Sequence, residues 1–153
     1  MIWSVLMTVW LSGILVYQHY TERSDATFIE SEIDNQEYLV LSRPDKQEAA
    51  NSMARVRLIL DQIINKLEYY ESDNEDEIIA INRLIRRYKT LLIVEAPWKD
   101  NITSYTTNKG DEIAMCLRSK EKADHGQIHQ LDKLLYVAIH ELAHVMSSSY
   151  SIK

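Results

Sequence analysis

The sequence predicts an α+β domain behind an N-terminal transmembrane helix. Three observations indicate this fold class: an almost wholly apolar N-terminal segment, two segments with the apolar periodicity of amphipathic helices, and short β-type runs that lead into a last helical segment. The 153 residues suffice for one domain of ordinary size. We therefore assign residues 1–20 to a transmembrane anchor, 21–43 to a polar stalk and 44–153 to the folded domain.

The N-terminal segment has no charged side chain before Glu22, and its apolar run is interrupted only by small residues. Its length is near the short limit for a helix that crosses a bilayer. Two alternatives stay open: a cleavable signal peptide, although a basic start and a small-x-small cleavage site are not evident, and a buried core helix. We expect a single-pass membrane protein, and the flanking charges do not indicate on which side of the membrane the domain lies.

The folded domain begins with two predicted amphipathic helices. Pro44 disfavours helix at the residue before it, and the acidic residue after it suits a helix start. Apolar residues then recur at steps of three and four over 45–71, and again over 75–89. The acidic residues between the two segments lack the glycine of a calcium loop, so we interpret them as a solvated connection.

The next part of the chain predicts β-structure. The apolar run TLLIVEAP is typical of a short strand that Pro97 ends, and the segments TSYTTN and EIAMCLRS flank KGD as the strands of a hairpin with Gly110 at its turn. Cys116, the lone cysteine, excludes an internal disulfide and is expected to be a buried structural residue. The segment SKEKADHGQIHQ is predicted to be a loop, and the helical pattern resumes at Leu131.

The charge of the chain argues against nucleic acid as a partner. The formal net charge is −6, with 17 Lys and Arg against 23 Asp and Glu, whereas binding to nucleic acid needs clustered basic residues. One basic cluster is obvious, and we interpret it as the solvated face of a helix. It comprises Arg83, Arg86, Arg87 and Lys89.

The segment HELAH places two histidines and a glutamate in the HExxH spacing of zinc metallopeptidases. If residues 131–147 form a helix, His140 and His144 lie one turn apart and about 40° apart around the axis, so both imidazoles can reach one cation. Glu141 lies about 100° from His140, near enough to contact a water on the metal without ligating the metal. The opposite side of the helix carries an apolar stripe that predicts burial against the core: Leu131, Leu134, Leu135, Ala138, Leu142, Val145 and Met146.

This arrangement predicts hydrolytic chemistry at a bound zinc ion. Zinc held by His140, His144 and a third ligand keeps a position for water and lowers the pKa of that water. Glu141 then accepts the proton as general base and returns it to a departing amine. A second pair, His125 and His129, has the same separation but lies in the predicted loop. There we expect unligated side chains, and a role as third ligand stays open.

The segment LLYVAIHELAHVM, preceded by the hairpin TSYTTNKGDEIAMCLRS, resembles the zincin metallopeptidases and is most similar to the small WLM- or SprT-like proteins of large DNA viruses. The resemblance covers roughly residues 103–146, and the HExxH helix is its specific part. It implies His140 and His144 as zinc ligands, Glu141 as catalytic base and a peptide or protein substrate. It also implies that residues 111–118 form the edge of a sheet to which an extended substrate adds as a strand.

The sequence departs from this family where a third ligand is expected. WLM-type proteins and metzincins place a histidine at the position of Tyr150, and metzincins also place a glycine at that of Ser147. Tyr150 is itself a candidate through its phenolate, and we expect a domain that is C-terminally truncated or degenerate. The sequence thus predicts a membrane-anchored zinc metallopeptidase. The alternatives are a non-catalytic, membrane-tethered zincin-like binding protein and a helical interaction protein whose motif is accidental.

Overall fold

The computed structural model describes residues 25–107 and 110–147. In this part of the chain it shows an α+β fold of three helices and two small sheets. The elements in chain order are β1 (Ala26–Glu30), β2 (Glu37–Leu41), α1 (Lys46–Leu67), α2 (Glu75–Tyr88), β3 (Leu92–Glu95), β4 (Tyr105–Thr107), β5 (Glu112–Met115) and α3 (Leu131–Ser147).

The predicted transmembrane helix is wrong. No helix in the part of the chain that the structure describes is long and apolar enough to cross a membrane. The longest of these helices, α1, has charged side chains along its exposed side. The segment 1–20, to which the anchor was assigned, lies outside the described residues. The fold class is therefore corrected to α+β with no membrane-spanning helix in the described part, and the localisation as a single-pass membrane protein is corrected with it.

The three helices begin and end close to where the apolar periodicity predicts. The buried side of α1 includes Met53, Val56 and Leu60, all fully buried, and packs on β2 and α3. The start of α2 is fixed by Asn74, whose side-chain oxygen accepts hydrogen bonds from backbone N–H groups of the first turn. The central position of α1 makes it the surface on which both sheets and the other helices assemble.

The strand β5 is central in the three-stranded sheet, whose order is β3-β5-β4. It pairs parallel with β3, where Ile93 lies opposite Ile113, and antiparallel with β4, where Thr106 lies opposite Ile113. The predicted hairpin is confirmed, and Gly110 lies in its turn with a φ of 112°, which glycine adopts without strain. The predicted sheet edge over 111–118 is wrong, because β5 has partner strands on both sides, and β3 and β4 are the outer strands.

Residues 25–43 belong to the fold, whereas the sequence indicated a polar stalk over 21–43. The strands β1 and β2 form an antiparallel pair, and β2 places Val40 and its apolar neighbours in the core. The side-chain oxygen of Asn51 in α1 accepts a hydrogen bond from the backbone N–H of Glu32 at 3.0 Å. The segment resembles a stalk in sequence because β1 is only partly buried and its charged residue, Glu30, is exposed.

A buried ion pair joins the three-stranded sheet to its surroundings. Arg118, which is 3% exposed, donates through Nε to Glu95 Oε1 at 2.8 Å and through Nη1 to Asp45 at the start of α1. Glu95 Oε2 accepts a hydrogen bond from the backbone N–H of Leu41 at 2.7 Å. Burial raises the pKa of Glu95, while the Leu41 N–H and Arg118 act in the opposite direction. These bonds hold β2, β3, α1 and the segment after β5 together.

Candidate metal centre

The helix α3 has one face in the core and one face that presents two histidines. His140 and His144 are both exposed. The bounds of α3 confirm the predicted helix over 131–147, and the buried face of α3 confirms the predicted apolar stripe. The buried apolar residues of α3 are Leu134, Ala138, Leu142 and Val145.

The two imidazoles converge at their outer nitrogens. His140 Nε2 lies 3.1 Å from His144 Nε2, and the ring planes meet at 85°. Two nitrogens that each lie about 2.0–2.1 Å from a tetrahedral zinc ion are about 3.3 Å apart. The separation of the two nitrogens thus fits two neighbouring positions of a zinc coordination sphere, and imidazole is a ligand that zinc prefers.

Two arginines of α2 hold the C-terminal end of α3. Arg83 Nη1 donates to the carbonyl of Met146 at 3.0 Å, and Arg87 Nη1 donates to that of Val145 at 3.1 Å. Carbonyls in the last turn of a helix lack partners within the helix, so these bonds satisfy them. The sequence assigned both arginines to a solvated face, and the structure instead places them against the histidine-bearing helix.

The turn of the hairpin packs against the same end of α3. A Cβ atom on Gly110 would lie 2.7 Å from Val145 Cγ1, so a side chain at this position would displace the helix or the turn. The close contact fixes the distance between the hairpin and α3. Together with the arginines, it restrains the helix on which the two histidines lie.

The carboxylate of Glu141 is held by β4, one of the two outer strands of the three-stranded sheet. Glu141 is 7% exposed, and its Oε2 accepts a hydrogen bond from Thr106 Oγ1 at 2.7 Å. Because Glu141 follows His140 directly, this bond places a buried carboxylate beside the histidine face. Thr106 could not be identified from the sequence, since no local spacing relates β4 to a helix that begins after a long loop.

A cavity of about 490 Å³ lies beside Glu141 and His140. This volume is in the range of ligand-binding clefts in proteins. Its walls come from the segment before β4, the segment after β5 and the exposed side of α3. The apolar part of the lining includes Ile102, Tyr136 and Val137. The histidine face therefore opens onto a space large enough for part of a peptide.

The two histidines of the second pair, His125 and His129, lie in different surroundings. His125 packs edge-on against Trp98, with 5.2 Å between the ring centroids. His129 lines the cavity, and burial lowers the pKa of its imidazole, with the charge of Lys133 acting in the same direction. Within residues 25–107 and 110–147, no group of three or more His, Cys, Asp and Glu residues could hold a metal ion. A third ligand is therefore not found there, and Tyr150 lies outside the described residues.

Cys116 follows β5 directly, and its surroundings are those of a structural residue. Cys116 is half-buried, with Sγ 3.4 Å from the carbonyl oxygen of Ile102. Burial raises the pKa of the thiol. A raised pKa keeps the sulfur protonated at neutral pH, and a protonated thiol is a poor nucleophile.

The chain is similar in sequence to a viral protein. Over 146 residues, 93% of its length, the chain is 33% identical to the uncharacterized protein R325 of Acanthamoeba polyphaga mimivirus, and it covers 71% of that protein. No protein-family model matches the chain. No solved structure matches it. The identity and coverage show that the chain belongs to the same family as the mimivirus protein R325.

Proposed function

We propose that this protein is a zinc-dependent metallopeptidase in which His140 and His144 ligate zinc and Glu141 acts as general base. The observation that carries the proposal is the 3.1 Å separation of the two Nε2 atoms, next to a carboxylate that Thr106 holds in place. The separation suits zinc ligation, and HExxH is the sequence pattern in which two such histidines and a general base occur together.

The reaction follows from the chemistry of these side chains. Zinc at the two histidines would supply Lewis acidity, which makes water more acidic and a peptide carbonyl more electrophilic. Glu141 accepts a proton from the attacking water and delivers it to the departing amine. Thr106 donates to Glu141 Oε2 and so restrains the orientation of the carboxylate. The substrate is a peptide or protein segment, bound in extended form beside the outer strand β4.

Zinc content is the direct test of the proposal. We expect about one zinc ion per wild-type chain and a loss of zinc in His140→Ala, because one of the two imidazole ligands is gone. The measurement is metal analysis of the purified proteins after dialysis against zinc-free buffer. His125→Ala is the matched control, since His125 packs on Trp98 and should leave zinc content unchanged. Substoichiometric zinc that is the same in wild type and His140→Ala rules out the proposal.

Replacing Thr106 with valine tests the restraint on the general base. Valine keeps the shape of threonine but donates no hydrogen bond, so we expect kcat for a fluorogenic peptide to fall about tenfold. KM and zinc content should stay near the wild-type values, since neither zinc nor the ground-state substrate contacts this hydroxyl in the proposal. Thr106→Ser, which keeps the donor, should retain most of the activity. Equal losses in the valine and serine variants would contradict the role of the hydroxyl.

A non-catalytic, zincin-like binding protein is the second candidate function. It is favoured by the lack of a third ligand within residues 25–107 and 110–147. Such a protein would bind peptides in the same cavity without cleaving them. Zinc binding without hydrolysis of any member of a peptide library would support this candidate over the peptidase.

A further inference from the structure

The cavity beside the histidine face is lined by basic side chains in a chain that is acidic overall. The chain has a net charge of −6, yet Lys120, His129 and Lys133 all line this cavity. The lining also includes two carboxylates. Glu141 is held by Thr106, and Glu121 is exposed. The lining of the cavity is therefore richer in basic side chains than the net charge of the chain predicts.

Lys120 is held in position without a carboxylate partner. Its Nζ donates to the backbone carbonyls of Lys99 and Ile102. Within the described residues, no carboxylate oxygen lies within 4.0 Å of the Nζ of Lys120 or of Lys133. Carbonyl oxygens orient an ammonium group but do not neutralise it, so Lys120, which lines the cavity, keeps its positive charge.

His129 and Lys133 lie next to each other on the wall of the cavity. The backbone N–H of His129 donates to the carbonyl of Leu117 at 2.8 Å, which fixes the segment just before α3. The pKa of His129 is lowered by burial first and by Lys133 second, while Asp124 and Glu121 act in the opposite direction. A neutral imidazole can still donate one hydrogen bond, so this pair offers a donor and a cation to one anionic group.

A fourth basic residue of the cavity, Arg118, also favours an anionic ligand. Arg118 lines the cavity and is 3% exposed. Its Nε and Nη1 are bonded to Glu95 and Asp45, but its buried Nη2 has no hydrogen-bond acceptor within the described residues. A buried donor without an acceptor is costly and rare in folded proteins. An anionic ligand in this cavity would bring an acceptor close to this guanidinium.

We propose that the cavity binds a carboxylate group of the substrate through Lys120, His129 and Lys133. The carboxylate is either an acidic side chain near the cleaved bond or the C-terminal carboxylate of a peptide. The inference rests on the proposed function for its peptide substrate, but the binding of the carboxylate does not require hydrolysis. It gives the proposed peptidase a preference for acidic residues or for chain ends.

The test measures peptide binding in the full chain carrying Glu141→Gln, which prevents cleavage. Three fluorescent peptides differ only at the central residue or at the C-terminus. The first has both ends blocked and only neutral side chains, the second has both ends blocked and a central glutamate, and the third is neutral with a free C-terminus. We expect one of the two carboxylate peptides to bind more tightly than the neutral peptide, and the tighter one identifies the source of the carboxylate. Adding Lys133→Gln should weaken that binding about fivefold and leave the neutral peptide unaffected.

Lys122→Gln is the matched control, because Lys122 is exposed like Lys133 but lies in the loop before α3 and does not line the cavity. It removes the same charge from the chain, so any long-range effect of net charge appears in both variants. Equal binding of all three peptides, or equal weakening by the two lysine substitutions, would overturn the inference. Carboxylate-dependent binding by a wild-type protein that hydrolyses no peptide would instead refute the peptidase and leave the carboxylate site standing.

Discussion

Replacing Glu141 with glutamine is expected to lower kcat for peptide hydrolysis by about 100- to 10,000-fold and to leave zinc content unchanged. Glutamine has the size of glutamate, and its amide oxygen can still accept the hydrogen bond of Thr106. It cannot take a proton from water, so the variant lacks the proposed general base. The measurements are kcat with a fluorogenic peptide and metal analysis of the same preparation.

Asp132→Asn is the control for this variant, since Asp132 is an exposed carboxylate in the first turn of the same helix. Its kcat and zinc content should match those of the wild type. If Glu141→Gln loses zinc along with activity, Glu141 supports the metal site structurally and the role as general base is refuted. If the variant keeps both, the proposed mechanism is refuted.

Replacing Arg118 with methionine is expected to lower the free energy of unfolding by about 3–5 kcal/mol. The change leaves the carboxylate of Glu95, whose side chain is 1% exposed, without its cation. Folded domains are stable by only about 5–15 kcal/mol, so this loss is a large share of the total. Urea denaturation followed by circular dichroism measures it. Arg55→Met is the control: the Arg55–Glu48 pair is exposed, and its loss should cost less than about 1 kcal/mol.

The decrease in the free energy of unfolding in Arg118→Met should also depend on pH. Burial already raises the pKa of Glu95, and removing Arg118 removes an interaction that lowers it. The folded-state pKa in the variant then lies well above the value of about 4.3 in the unfolded chain. A carboxyl with a raised folded-state pKa stabilises the fold below the unfolded pKa, and that stability is lost as pH rises through the folded pKa. The variant should therefore be closer to the wild type at about pH 5 than at about pH 8.

A second substitution distinguishes the unpaired charge of Glu95 from the lost packing of Arg118 as the cause of the lower stability. Glu95→Gln in the Arg118→Met background removes the buried charge, keeps an acceptor for the Leu41 N–H and should recover part of the lost stability. It should also remove the pH dependence. A double variant that is less stable than Arg118→Met at neutral pH would show that the cost comes from lost packing of the arginine.

Local patterns in the sequence predict the helices and the hairpin well, for a physical reason. The period of apolar residues is set by neighbours within one or two turns, and it gives the bounds of α3 and its exposed histidines. Gly110 marks the hairpin turn because the backbone there needs a positive φ. The convergence of His140 and His144 follows from the helix alone, so this part of the site is also predictable.

Interactions between distant segments could not be predicted in this way. The position of β5 between β3 and β4 depends on a parallel pairing across a crossover. The sequence of a strand alone does not determine which strands pair with it. Arg83 and Arg87 resemble any basic helix face until the end of α3 lies against them. The strands within 25–43 were missed because each has only five residues, which is too few for a clear alternation of apolar and polar side chains.

The bond between Thr106 and Glu141 makes the outer strand and the carboxylate one cooperative unit. Any fluctuation that lifts β4 from its neighbour also releases Glu141, because the same residue takes part in both contacts. Opening motions of this kind are most frequent at the margins of a sheet. A ligand that fastens β4 would suppress them and narrow the range of orientations open to Glu141. The protein would then have its carboxylate best ordered at the moment when an extended chain lies along that strand.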